Sequence, residues 1–197
     1  MFILASGSPR RRELLQQIGC EFRVLVSDAE EDADPGLPPE TLVVKNACTK
    51  ALAVAKMEGS LPVLGADTAV FLEGQIYGKP VDEEDARRML RLLAGKTHQV
   101  STGIAFVKDG EVFSDAVTTD VHFGEMTAEE IARYVATREP MDKAGGYALQ
   151  GRAAAFIEGI RGSWSNVVGL PLHAVCLLAG KAGVDLYGNY GKGFAHR

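Results

Sequence analysis

Phe2-Ile-Leu-Ala5 followed by Ser6-Gly-Ser-Pro-Arg-Arg-Arg12 is an apolar run, a turn of small polar residues and the opening of a helix. Ser8 suits an N-cap. Pro9 suits the first helical position, because proline has no N–H to lose there and its φ is already helical. Arg10, Arg11 and Arg12 then occupy the first turn, where the macrodipole is positive and each cation costs a few tenths to ~1 kcal/mol. An anion bound at that turn would offset the cost. Strand, Gly/Ser turn, free helix N–H groups and arginine forks together describe a phosphate site. The competing reading is a solvated basic helix start. On the phosphate reading, replacing Arg10 or Arg11 by Ala should leave stability unchanged or slightly raised while weakening function.

Outward from this stretch, strand and helix patterns alternate, which places the chain in the α/β class. Helix 9–18 is closed by Gly19, and Phe22–Val26 reads as a strand. An acidic, Pro-rich loop follows from Ser27 to Pro39, long enough to suggest function or mobility. Residues 40–56 carry Val44, Ala47, Cys48, Ala51 and Ala55 at helical spacing. Leu61–Leu64 is a buried strand leading into Gly65-Ala-Asp-Thr68, and Ala69–Leu72 runs to a turn at Glu73-Gly74. Asp82 caps the next helix, and Gly95 lies past its end. Val100–Val107 and Glu111–Phe123 form a hairpin around Lys108-Asp-Gly110. Thr127-Ala-Glu-Glu130 is a capping box. Gly145–Gly151 reads as loop or edge strand, Ala153–Glu158 as a strand and Leu170–Leu178 as the last helix. The division is a domain over 1–180 and a Gly-rich tail over 181–197, read as loosely held.

The 197 residues are 46% hydrophobic, enough for a substantial core. With 21 basic against 26 acidic residues the net charge is −5, so the cations of residues 10–12 stand against an acidic background. That argues against nucleic acid as a partner. Cys20, Cys48 and Cys176 are isolated among apolar neighbours, as expected of reduced thiols in the cytoplasm. The first residues lack the layout of a signal peptide, and no apolar run approaches the roughly 18 residues of a membrane span. Neither secretion nor a membrane location is expected.

Asp67 is the second informative position, because it ends the apolar run Val63-Leu-Gly-Ala66 and open α/β sheets bind ligands at carboxyl ends of strands. A carboxylate there can hold a divalent cation or orient a water, with Gly65 and Ala66 leaving room for a ligand. It can equally cap its own turn. Lys79, beyond the next turn, can return its ammonium to the same edge. Gly74 to Lys79 is too short for a Walker A loop and ends in Pro80. Lys50 borders the apolar face of helix 40–56 and on its own could simply snorkel over the core edge. Lys143 and Gln150 frame a stretch of small residues from which both can reach a ligand, or they decorate a Gly-permissive turn. No two of His98, His122, His173 and His196 have zinc-ligand spacing.

Taken in order, Ser6-Gly-Ser-Pro-Arg-Arg11, Gly65-Ala-Asp-Thr68, Gly78-Lys-Pro80, Asp142-Lys-Ala-Gly145 with Leu149-Gln-Gly151, and Val168-Gly-Leu-Pro171 resemble the motif set of the Maf family. These are nucleoside triphosphate pyrophosphatases, also described as septum-formation inhibitors. Asp-Lys-Ala-Gly followed by Gln-Gly is similar to the dTTP/UTP-preferring group. The resemblance implies a Maf/inosine-triphosphatase-like fold, a twisted mixed sheet flanked by helices with two lobes and a central cleft, often dimeric. It implies cleavage to monophosphate and pyrophosphate with Asp67 as proton acceptor. Ser6, Arg10, Arg11, Lys50, Lys79 and Lys143 would bind the triphosphate, and Arg10, Thr68 and Gln150 would choose the base. Mg²⁺ or Mn²⁺ would bridge phosphate oxygens and a carboxylate, Asp67 first and Glu30 or Glu31 second, with Glu31 preferred. Two other readings keep the same phosphate site: a nucleotide-dependent inhibitor of cell division with little turnover, and a phosphatase removing the terminal phosphate.

Overall fold

The computed structural model describes residues 1–34 and 36–186. Phe2–Leu4 is strand β1, Pro9–Gln17 helix α1 and Phe22–Val24 strand β2, followed by helix α2 over Pro39–Met57 and strand β3 over Val63–Leu72. Gln75–Tyr77 is β4, Glu83–Leu93 α3, Thr97–Lys108 β5, Glu111–Phe123 β6 and Ala128–Ala136 α4. Short 3₁₀ turns lead to β7 at Ile157–Arg161, and Trp164–Val168 and Leu172–Lys181 are α5 and α6. The sheet has seven strands in the order β2-β1-β3-β5-β6-β7, with β4 on the outer edge of β3. β1 pairs in parallel with β2 and β3 and the other pairings are antiparallel, so the sheet is mixed.

Local rules account for most of these boundaries. Pro9 opens α1, and the backbone N–H of Asp85 donates to the Asp82 side chain at the start of α3. Thr127 and Glu130 form both bonds of the capping box. Asp109 and Gly110 both have positive φ, the combination that makes a two-residue hairpin turn between β5 and β6.

Along β3 and β5 the same sheet face serves two cores. Leu64 and Ala66 with Ile104 join Leu14, Leu170 and Val175 beneath α1 and α6. Val70 and Leu72 with Val100 join Leu90, Phe123 and Ile131 beneath α3 and α4. Between the two lie Thr68 and Thr102, directly paired in register, their hydroxyls 2.9 Å apart. The Thr102 hydroxyl donates to the backbone carbonyl of Asn166 in α5, and the Asn166 amide donates to Thr119 of β6 and to the Val100 carbonyl. This polar seam between apolar clusters is the physical form of the expected two lobes, and the short helix α5, absent from the sequence reading, crosses it.

The opposite face is covered by α2, which lies almost in van der Waals contact with the strands. A Cβ on Gly65 would sit 2.3 Å from the Ala47 carbonyl oxygen, and one on Gly103 would sit 2.3 Å from the Val43 carbonyl carbon and oxygen. The space at Gly65 is thus filled by the α2 backbone, where a ligand approach had been expected. The helix also buries Leu42, Val43, Asn46, Ala47, Ala51 and Val54, a face rotated from the expected one that leaves Val44 and Ala55 half-buried. Gly103→Ala is expected to lower the melting temperature, at a cost of about 1–3 kcal/mol or more, because a backbone and not a flexible side chain stands in the way. An unchanged melting temperature in calorimetry would refute this packing.

Three further expectations change. Ala153–Phe156 belongs to a 3₁₀ segment and the strand begins only at Ile157. Ala182, Val184 and Leu186 are buried in the α1/α6 core, so the described part of the expected tail is packed. Residues 187–197 lie outside the described residues. Asp67 lies within a continuous ten-residue strand, not at a strand end.

Candidate active site

A gap in the sheet places Asp67. β1 pairs with β3 only at Val63 and Leu64, and β4 pairs with β3 only from Val70 onward. Between these points the outer edge of β3 has no neighbouring strand. β1 ends and turns through Ser6–Ser8 into α1 at this place, as at the carboxyl edge of a parallel sheet. A cleft of about 630 Å³ opens over the gap, a volume suited to a small-molecule ligand. It is lined by Ser6, Arg10, Arg11, Glu31, Lys50, Asp67, Thr68, Lys79, Lys143 and Gln150, so one cavity gathers every candidate except Glu30.

The two leading arginines separate sharply. Arg11 is buried at 9% exposure. Its Nε donates to the Gly169 carbonyl at 2.8 Å, Nη1 to the Ser6 hydroxyl at 2.9 Å and the Ala66 carbonyl at 3.0 Å, and Nη2 to the Thr68 hydroxyl at 3.0 Å. Burial lowers its pKa and the nearby Asp67 opposes that fall. Arg11 therefore knits α1, the Ser6 turn, the unpaired edge of β3 and the segment after α5. Its removal would orphan buried acceptors, so the expectation of unchanged stability fails for this residue. Arg10 instead stands at the cleft wall, facing Asp142 across 3.5 Å with both side chains partly in solvent.

On the other wall, Lys50 and Asn46 stand one turn apart on α2 and reach the two oxygens of Asp67. Lys50 Nζ lies 2.7 Å from Asp67 Oδ1, and Asn46 Nδ2 donates to Oδ2 at 3.1 Å. Asp67 is 8% exposed, so its carboxylate is fixed by a cation and an amide in a largely dehydrated site. Lys50 Nζ also lies 2.7 Å from Glu31 Oε1. The acidic loop is therefore drawn to the open edge of β3. Asn46 secures it, accepting from the Asp32 backbone N–H at 2.7 Å and donating to the Asp32 carbonyl at 3.0 Å, while Lys45 pairs with the Asp32 carboxylate. Sequence reasoning missed Asn46. Its signal was an amide four residues before Lys50 on the buried side of an amphipathic helix.

The remaining candidates form the rim. Among the described residues Lys79 and Gln150 have no hydrogen-bond or ion-pair partner, and both are exposed. Lys143 donates to the Glu139 carbonyl at 2.8 Å and pairs with Asp142. Thr68 is committed through its hydroxyl to Arg11 and Thr102. Tyr147, also missed, lines the cleft, with its hydroxyl 2.6 Å from Nε2 of buried His98. Burial lowers the His98 pKa to about 4, which keeps that ring neutral at physiological pH.

As a metal site, the cleft offers a sparse but suitable donor set. Among the described residues no three His, Cys, Asp or Glu side chains come together. Glu31 and Asp67, however, aim oxygens at one cationic point, now held by the Lys50 ammonium. Hard cations in nucleotide enzymes commonly take one or two carboxylates and complete their shell with phosphate oxygens and water. The residues present fit such an ion.

A sequence model of the family described as Maf-like protein matches residues 1–182. The chain belongs to the Maf family. This Maf chain is 54% identical over 170 residues to a Gloeobacter violaceus protein named dTTP/UTP pyrophosphatase, covering 86% of this chain and 90% of that one. It is 50% identical over 170 residues to a Shigella dysenteriae protein of the same name, covering 86% of each. A third so named, from Bacillus thuringiensis, is 47% identical over 170 residues, at 86% of this chain and 89% of its own. Among solved structures, the Staphylococcus aureus Ham1 protein aligns over 92% of the Maf chain and 98% of its own, with a TM-score of 0.48 and 15% identity.

Proposed function

We propose that this Maf protein hydrolyses dTTP and UTP to the monophosphate and pyrophosphate. The carrying observation is the Asp67 carboxylate, held on both oxygens by Lys50 and Asn46 at the floor of a cleft walled by Arg10, Lys79 and Lys143. The names of its relatives at 47–54% identity point the same way. Water attacks the α-phosphorus, Asp67 takes its proton, the bond from that phosphorus to the bridging oxygen breaks, and pyrophosphate leaves. Lys50 and Asn46 aim the carboxylate. Arg10, Lys79 and Lys143 meet the charge that develops on phosphoryl and leaving oxygens, where a preorganised cation acts more strongly than in water. Arg11 fixes the Ser6 turn, leaving one of its five N–H groups for a ligand. Asp67 and Glu31 would hold Mg²⁺ or Mn²⁺, which supplies neutralisation of phosphate charge.

The acting unit in this proposal is the domain expected over residues 1–180 together with the packed residues up to Leu186, and the thiols of Cys20, Cys48 and Cys176 suit a reducing cytoplasm. Hydrolysis in ¹⁸O-water across a panel of triphosphates tests the reaction. Label in the monophosphate, with pyrophosphate as the other product, is expected. Orthophosphate would indicate a phosphatase, and tight binding without turnover would favour the division inhibitor.

Base choice rests on Gln150, whose unpartnered amide can both donate and accept toward the carbonyl and N3–H edge of uracil or thymine. Gln150→Glu sets an acceptor against a base carbonyl, a mismatch of about 1–3 kcal/mol once the base covers it. kcat/KM for dTTP and UTP is expected to fall roughly ten- to a hundredfold, with other bases disturbed less. A flat loss across the panel would remove Gln150 from base reading.

A further inference from the structure

The segment from Lys143 to Gln150 has little regular structure, yet it supplies Lys143, Tyr147 and Gln150 to the cleft. What holds it in place is Glu139, which does not line the cleft. The chain leaves α4 through Arg138, whose φ of +64° makes a sharp left-handed reversal and sends Glu139 back beneath the segment. There the Glu139 carboxylate accepts the backbone N–H of Arg152 on both oxygens, at 3.0 and 3.1 Å. It also accepts the Tyr134 hydroxyl at 2.9 Å, and that hydroxyl in turn accepts the backbone N–H of Ala148 at 3.3 Å. The Glu139 carbonyl accepts Lys143 Nζ at 2.8 Å. Gly151 lies directly on the carboxylate, so close that a Cβ there would stand 2.2 Å from Oε1. One residue is thus bonded to the start of the segment at Lys143, through Tyr134 to Ala148 within it, and to Arg152 just past its end.

We propose that Glu139 is a positioning residue for base selection, rigidly presenting Lys143–Gln150 without touching the nucleotide. The inference rests on the pyrophosphatase reading and on Gln150 facing the base. Tyr134 is the relay. It is buried in the α3/α4 core, and burial together with the Glu139 bond raises its pKa, so its hydroxyl stays protonated and its donor role is permanent. A carboxylate is the fitting group because two donors make three hydrogen bonds to it, the Arg152 N–H to both oxygens and the Tyr134 O–H to Oε1, so both oxygens must accept. An amide in its place would turn an N–H₂ toward one of them. Lys143, which meets the triphosphate, is held by the Glu139 backbone carbonyl and not by the carboxylate, and Arg10, Asp67 and α2 share no hydrogen bond with Glu139. Changing the carboxylate alone should therefore fall on the base and spare the triphosphate.

The test compares wild type, Glu139→Gln and Tyr134→Phe on dTTP, UTP, dCTP and ATP, with inorganic tripolyphosphate as a baseless competitive inhibitor. Glu139→Gln is expected to lower kcat/KM for dTTP and UTP about tenfold or more, chiefly through KM, and to narrow the dTTP-to-dCTP ratio. The inhibition constant of tripolyphosphate should stay within about twofold. Tyr134→Phe, which keeps the ring in the core, should shift the ratio in the same direction by a smaller factor. An equal loss on every nucleotide with a changed tripolyphosphate constant, or an unchanged dTTP-to-dCTP ratio in both variants, overturns the proposal while leaving the pyrophosphatase reading intact. A wild type without preference for dTTP and UTP overturns the proposal and the base-reading role of Gln150, whereas orthophosphate in place of pyrophosphate overturns the pyrophosphatase reading itself.

Discussion

Asp67→Asn should reduce kcat by at least ~10²–10⁴-fold, the usual size of a general-base contribution, with a further loss wherever a divalent cation leans on the same carboxylate. The structure narrows how the variant should fail. Asp67 receives one donor on each oxygen, Lys50 Nζ and Asn46 Nδ2. An asparagine can accept only one of them, so its own N–H₂ must face the other donor. Lys50 keeps Glu31 as a partner, and the strand keeps its ladder with β5. Folding should survive with a melting temperature a few degrees lower, and calorimetric affinity for a nonhydrolysable nucleotide should stay within about tenfold of wild type. Activity within a factor of about three, with unchanged thermal stability, would place the chemistry elsewhere.

The second large effect is expected at Arg11, and it is structural. Arg11→Ala orphans the carbonyls of Gly169 and Ala66 and removes the partner of the Ser6 and Thr68 hydroxyls, all in buried or part-buried positions. A loss of roughly 3 kcal/mol or more follows, large for one substitution, equivalent to a fall in melting temperature of about 6–12 °C for a domain of this size. Arg10→Ala should behave in the opposite way. Its ion pair with exposed Asp142 contributes little to stability and its cation sits unfavourably at the helix start. The melting temperature should hold or rise slightly, while kcat/KM falls by the ten- to hundredfold expected for a lost charge-assisted contact to phosphate. If both variants melt alike, the division of labour between the two arginines is wrong.

Neighbouring arginines on one helix looked equivalent in the sequence, and the reason is instructive. Successive residues on a helix point about 100° apart, so Arg10 and Arg11 face different surroundings. The acceptor that decides the matter, the carbonyl of Gly169, is 158 residues away along the chain. Features governed by near neighbours were legible: Pro9 at the start of α1, the Asp82 cap, the Thr127–Glu130 box and the Asp109-Gly110 turn. Features set by lateral pairing were not. Asp67 looked like a strand end because the apolar run Val63-Leu-Gly-Ala66 stops at a carboxylate, whereas the opening beside it comes from β1 stopping at Leu4 and β4 starting at Gln75. Gly65 suggested room for a ligand, but its small size is required by the α2 backbone. Asn46 was hidden for a related reason, since an amide on a helix announces nothing until the strand beneath it is known.

The three longest strands, β3, β5 and β6, run unbroken from one core to the other, and β5 and β6 with 12 and 13 residues reach about 40 Å at ~3.3 Å per residue. Mechanically they act as a laminated beam under the whole cleft. Hinge bending across such a floor would have to shear a hydrogen-bonded ladder, whereas a gentle change of twist would not. The stiffness of the base plate therefore fixes the distance between Asp67 and the two walls. The acidic loop on one side is tied to α2 through Lys45, Asn46 and Lys50, and the segment from Asp142 to Gly151 on the other is carried by Glu139 and not by the sheet. Such an instrument has its gauge cut into the base plate and its jaw bolted on separately, so under the proposed function the jaw can be altered without recalibrating the gauge.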